Sequence, residues 1–270
     1  MGLGGWILVA SAPAFFWLWL FYRRDRWEKE PKAKVLKLFA LGAAVAAPVY
    51  FIELWLPGPT TAIYDNFVRV ALVEEVFKFL PVFGLVYFHR EFNEPMDGIV
   101  YMVACALGFA TVENALYAMQ GGGRLLVFRA FTSTLAHVGF SGLLGYALGM
   151  AKFRARGGAF LVVRTLLIVT ALHGAYDLLL SYGADPRAPE WIARLTLALM
   201  VPTLLLLLWR ATNLACRASP FRSEAEAART REEPGDGRHR EGDEKHHEGD
   251  GAERRSRHVV GEADVVVRDP

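Results

Sequence analysis

Eight polar side chains stand in stretches that are otherwise almost wholly apolar. LVEEVFKFLP carries Glu74, Glu75 and Lys78; GFATVENALY carries Glu113 and Asn114; STLAHVGFSG carries His137; LHGAYD carries His173 and Asp177. An ionisable group deep in an apolar membrane helix costs at least ~2.5–3.5 kcal/mol, so each needs a partner or a task. Carboxylates that can take a proton, beside histidines, suit general acid–base hydrolysis or metal-assisted hydrolysis. Glu74 and Lys78 are four residues apart and pair along one helix face, while Glu75 projects about a quarter-turn away. His173 and Asp177 share the same four-residue spacing, which suits a carboxylate orienting an imidazole or two ligands of one ion.

Each group has a structural alternative when taken alone. Glu74–Lys78 would serve as a packing ion pair, His137 as a hydrogen-bonded core histidine, and Glu113 with Asn114 as an interhelical contact. Two histidines with carboxylates match zinc ligand types, with Glu113, His137 and His173 as the candidate set, but no HExxH motif is present. The elements that carry these residues decide between the readings.

Seven apolar stretches reach the ~20 residues needed to cross a bilayer core. They run at about 3–22, 34–54, 64–88, 98–119, 125–150, 159–181 and 190–210. The predicted fold is all-α, a polytopic membrane helix bundle. The first stretch has no basic residue ahead of it and arginines after it, so it reads as a retained helix and not a secretory signal. Arg23, Arg24, Arg26, Lys29, Lys32, Lys34, Lys37, Arg90, Lys152, Arg154, Arg156, Arg210 and Arg217 gather on one set of connections; the other set holds Arg124 and Arg187. By the positive-inside rule the first set is cytoplasmic, which places the N-terminus outside and the C-terminus inside.

At ~1.5 Å per residue from the external helix ends, Glu75 lies ~16 Å deep, Glu113 ~9 Å, His137 ~18 Å, His173 ~12 Å and Asp177 ~6 Å. Unrelated residues would scatter over both leaflets. One shared polar site in the outer half of the bundle accounts for all five. Ser141, Gly145 and Gly149, and likewise Gly42 and Ala46, form small-residue stripes for close helix packing. Pro48, Pro81 and Pro202 are expected to kink their helices.

The chain has 270 residues and is 53% hydrophobic, but the average conceals two unlike parts. From Arg217 onward, 11 Lys/Arg and 14 Asp/Glu occur among 54 residues, too polar to offset chain entropy by burial. The predicted division is a membrane domain at 1–212 and a charged, disordered cytoplasmic tail at 213–270. The tail's His239, His246, His247 and His258 read as solvated low-complexity sequence. Cys105 and Cys216 fall in different regions, so no disulfide is expected. No Rossmann, P-loop or nucleic-acid module is present, and the expected surroundings are lipid bilayer, with no nucleic acid as partner.

EEVFK, MDGIVYMVACALGFATVENALY, AHVGFSGLLGYALGMAKF and LHGAYD follow one another from Val73 to Asp177. In that order and spacing they resemble the PrsW family of bacterial intramembrane proteases, within the wider group that includes the CAAX prenyl endopeptidases. Met102 departs from the pattern where a small glycine is usual. The resemblance implies cleavage of a membrane-anchored protein, in the founding case the first cut in an anti-sigma factor on the extracytoplasmic side. It also implies that Glu74 and Glu75 are the paired glutamates, Glu113 the second-motif glutamate, His137 and His173 the histidines, and Asp177 the end of an HxxxD element. The expected activity is peptide-bond hydrolysis with Glu75 as general base, Glu74 held by Lys78, and the histidines or a zinc ion stabilising the oxyanion. An ion-coupled transporter or a non-catalytic scaffold would use the same buried groups, and the residues alone leave both open.

Overall fold

The computed structural model describes residues 1–223 apart from 184 and 186, and all regular structure among them is helical. The helices are α1 (Leu3–Arg24), α2 (Lys32–Trp55), α3 (Ala62–Tyr64), α4 (Val73–Val82), α5 (Pro95–Phe131), α6 (Ser133–Lys152), α7 (Gly158–Gly183) and α8 (Trp191–Arg217). Wide π-type turns at Asp65–Leu72 and Phe83–Tyr87 join and extend α3 and α4, so one helical run covers 62–87. Thr61 caps its start by accepting the N–H of Tyr64 at 3.2 Å. Pro81, inside α4, supplies no backbone N–H, and the wider turns begin two residues later.

Among the described residues, five stretches are long and apolar enough to cross a membrane: Leu3–Arg24, Lys32–Trp55, Pro95–Lys152, Gly158–Gly183 and Trp191–Arg217. The expected seven differ for two reasons. Pro95–Lys152 runs through both α5 and α6, and the run 62–87 is interrupted by Asp65, Arg69, Glu74, Glu75 and Lys78. The glycines of QGGGR break the helix where the connection between the fourth and fifth stretches is expected, as a kink and not an open loop: Gly122 is non-helical, with φ 69° and ψ −167°. Helical turns then resume, and α6 starts after Thr132. One glycine at positive φ absorbs the bend, and the apolar LLVF that follows re-enters the helix.

α5 is the central helix. Every side chain from Pro95 to Thr111 is buried, while α1, α2, α7 and α8 expose large apolar residues such as Phe16, Trp19, Phe51 and Trp209. A helix apolar all round belongs inside, and an apolar exterior belongs against lipid. Small residues permit the close contacts. A Cβ on Gly145 would collide with the carbonyl of Gly98, and one on Gly42 with the carbonyl of Cys105. Gly149 meets Pro95 in the same way, so this part of the expected stripe packs α6 on α5.

The expected boundary at 212 lies within α8, which continues to Arg217. The stretch from 224 onward, including the four tail histidines, lies outside the described residues.

At the end of the bundle where α1 turns into α2 and α5 begins, four acids are buried: Asp25, Glu30, Glu94 and Asp97. Asp97 accepts the N–H groups of Asn93 and Glu94 at 2.7 and 2.8 Å, closing the start of α5. Tyr101 donates to Glu30, and neither carboxylate oxygen of Asp25 has a donor. Burial, reinforced by the neighbouring Glu94, pushes the Asp25 carboxyl up to about 8, and burial pushes Glu30 up as well. A carboxyl whose folded pKa exceeds its unfolded value supports the fold while protonated. That support is complete below about pH 4 and is lost as pH rises through the folded value. The thermal midpoint in detergent should therefore fall as pH is raised from about 5 toward about 8, and Asp25→Asn should flatten that decline. A parallel decline in the variant would show that Asp25 does not titrate with folding.

Candidate active site

The polar residues meet at the opposite end of the bundle. The later turns of α2, α5 and α7 converge there with the first turns of α6 and the run 62–78, as alternating helix directions require. They enclose a cavity of about 500 Å³ whose wall includes Glu74, Glu113, His137, His173 and Asp177. Glu75 is the exception, being wholly buried behind the wall.

Lys78 organises the buried side. Its ammonium donates to Glu74 Oε2 at 2.8 Å, to Glu75 Oε1 at 2.9 Å and to His137 Nδ1 at 3.0 Å. It also lies 4.4 Å from the ring centre of Phe109. The expected Glu74–Lys78 pair is present, but Glu75 is not left free by it. The lysine sits at i+4 from one glutamate and i+3 from the other, and both spacings bring side chains together on a helix.

The two histidines are held alike. Because His137 Nδ1 accepts from Lys78, its proton resides on Nε2, which donates to Glu113 Oε2 at 2.7 Å. Glu113 is in turn bound by Arg129 at 2.7 Å, and Arg129 also donates to Asn114 and Ser133. Asn114 donates to Thr134 on α6, so the network ties α5 to α6. His173 Nδ1 donates to Glu75 Oε1 at 3.0 Å, and Ser141 donates to the other oxygen of Glu75 at 3.1 Å. Phe140 stacks on the His173 ring at 4.8 Å. Each imidazole thus has one nitrogen backed by a carboxylate. The other nitrogen, Nδ1 of His137 or Nε2 of His173, stands 3.8 Å from Glu74 Oε2. Asp177 Oδ2 lies 3.3 Å from His173 Nε2.

Such backing carboxylates orient metal-ligating histidines. Donor atoms of Glu74, Glu75, His137 and His173 lie within 4.8 Å of one another. Tetrahedral zinc, with bonds of about 2.0–2.1 Å, separates its donors by roughly 3.3 Å, so contraction by about half an ångström brings the 3.8 Å pairs into range. The residues fit such an ion by donor chemistry and by orientation. Glu113, expected among the ligands, is placed on the far nitrogen of His137 as its orienting carboxylate. His137 Nδ1 serves either the Lys78 ammonium or an ion.

Three participants were not read from the sequence. Ser141 reads from the sequence as a small packing residue, and Arg129 offers no signal there beyond its charge. Glu53, which also lines the cavity, stood in FIELW at the expected edge of a membrane stretch, where an acid reads as a boundary. An acid so close to the level of Glu113 and Asp177 was the available signal.

The chain is similar to known proteins over most of this structure. A family described as PrsW family intramembrane metalloprotease matches residues 30–207. Protease PrsW of Geobacillus kaustophilus is 37% identical over 177 residues, covering 64% of this chain and 79% of the relative. Protease PrsW of Bacillus subtilis is 31% identical over 216 residues, covering 78% and 94%. That of Clostridioides difficile is 33% identical over 188 residues, covering 64% and 78%. No solved structure matches.

Removing the ammonium would leave two buried carboxylates facing each other. Lys78→Met should destabilise the chain by about 3–5 kcal/mol, the usual cost of breaking a buried ion pair. Adding Glu75→Gln should restore part of the loss. Unfolding in detergent measures both, and an unchanged midpoint for Lys78→Met would remove the lysine from its central role.

Proposed function

This chain belongs to the PrsW family of intramembrane metalloproteases, and from that premise we propose that it hydrolyses a peptide bond of a membrane-anchored protein inside the cavity bounded by Glu74, His137, His173 and Asp177. Membership of a protease family sets aside the transporter and scaffold readings. The observation that carries the proposal is the pair of carboxylate-backed histidines, each turning its other nitrogen toward Glu74.

Glu74 is the general base. The sequence favoured Glu75, but only Glu74 lines the cavity, whereas Glu75 is enclosed by Lys78, His173 and Ser141. Glu75 therefore positions His173, and Glu113 with Arg129 positions His137. Lys78 holds the two glutamates side by side by donating to both. Asp177, on the cavity wall beside His173, relays to the leaving amine the proton that Glu74 takes from the attacking water. A zinc ion would be held by His137, His173 and Glu74 Oε2 and would supply Lewis-acid polarisation of the scissile carbonyl. Glu74 Oε1 then remains to receive the proton of the attacking water.

In this proposal the run 62–87 crosses the membrane despite its charges, because its polar face is turned into the protein. With α5 and α6 counted separately there are seven spans, the N-terminus lies outside the cell membrane and the tail from 213 lies in the cytoplasm, as the lysine and arginine bias favours. The site then occupies the outer half of the bilayer. An anti-sigma-factor-like protein with a single span fits a cut on that side, in keeping with the family resemblance.

The test is cleavage of a co-expressed single-span anti-sigma-type substrate. Glu74→Gln should lower the rate by about 10²–10⁴-fold, the usual contribution of a general base. Glu75→Gln should cost about 10–100-fold through the loosened His173. Full activity of Glu74→Gln would overturn the assignment, and the reverse ranking would return the base to Glu75.

A further inference from the structure

Every carboxylate of the candidate active site has a cationic or imidazole partner except one. Glu74 and Glu75 share Lys78, Glu113 holds Arg129 and His137, and Asp177 meets His173. Glu53, on the last turn of α2, lines the same cavity, and its Oε1 is shielded from solvent without a hydrogen-bond partner. Asn66, a possible donor on the cavity wall, spends its amide on the carbonyl of Ala62 at 2.7 Å. Gln120, Tyr117 and Arg129 also line the cavity, but among the described residues no side chain donates to Glu53 and no cation pairs with it.

A carboxylate oxygen shielded from water and lacking a donor is stabilised by a cation brought within reach of it. Glu53 does not belong to the group of donors that could gather round a metal ion. In a protease the occupant of the cavity is a polypeptide, whose basic side chains are cations of the right kind. We infer that Glu53 is a specificity-determining residue that selects substrates carrying a lysine or arginine side chain next to the scissile bond.

This rests on the protease reading for its setting but not for its binding chemistry. A basic side chain next to the cut forms a charge-assisted hydrogen bond with Glu53, while Glu74 and the histidines meet the peptide bond itself. A neutral residue there leaves Glu53 unpartnered, and an acidic one adds repulsion. Discrimination of this kind acts on substrate binding, so it is read in KM more than in kcat.

The experiment uses the full chain in proteoliposomes with a single-span reporter whose residues flanking the cut are varied among Lys, Arg, Gln and Glu. Binding of dodecylguanidinium is measured in parallel by its thermal shift. Wild type should show KM about 10-fold or more lower for Lys and Arg than for Gln. Glu53→Gln should abolish that difference with kcat little changed, and Glu53→Lys should shift preference toward Glu. The guanidinium probe should shift wild type and not Glu53→Gln. Equal preference in wild type and Glu53→Gln would overturn the inference while leaving the protease reading intact. Absence of any cleavage, with the probe still binding through Glu53, would overturn the protease reading and keep Glu53 as a cation-selecting group. Absence of both would overturn both.

Discussion

A lysine wholly removed from water must find its counter-charges inside the protein, and the site is arranged around that requirement. Lys78 finds two carboxylates on its own helix, at i−4 and i−3, and a histidine nitrogen on α6. Three consequences follow from the one ammonium. Glu74 and Glu75 can lie side by side in a low-dielectric setting, the His137 tautomer is set, and Glu75 is oriented toward His173. Without that charge the two glutamates would repel, and the two histidines would lose their common reference point.

The bundle supplies the rigidity this arrangement needs. α5, enclosed on all sides, carries Glu113 and Asn114, and α6 lies against it closely because Gly98 and Gly145 leave room for backbone contact. Polar contacts of Arg129 then fasten the far end of α5 to the start of α6. The fold therefore separates two polar regions along its length. One is the cavity end; the other is the acidic turn of Asp25, Glu30, Glu94 and Asp97, which joins α1, α2 and α5. Apolar packing occupies the length between them.

Much of the candidate site was legible because charge in an apolar run is rare and costly. Glu74, Glu75, Glu113, His137, His173 and Asp177 each stood out on that ground alone, and the alternating direction of the helices put them at one level before any contact was known. What spacing could not tell was rotation. A helical wheel separates Glu74 from Glu75 by about a quarter-turn, but not which of them faces the cavity, and the lysine at i+3 and i+4 reaches both. Ser141 looked like packing because a hydroxyl among glycines is small first and polar second. Glu53 was hidden at the edge of a stretch, where charge is ordinary. The helices themselves were read from apolar length, and the differences fell where that signal is weakest: the helix after the kink at Gly122 stops at Phe131 and α6 starts afresh at Ser133, and α8 continues into polar sequence as far as Arg217.

The proposed hydrolytic centre gathers His137, His173 and Glu74 around a zinc ion. The metal content of the purified full chain, measured by inductively coupled plasma mass spectrometry, addresses that most directly. The predicted result is close to one zinc per chain in the wild type and its loss in His173→Ala while the fold is retained. A metal-free wild type that cleaves its substrate at full rate would contradict it.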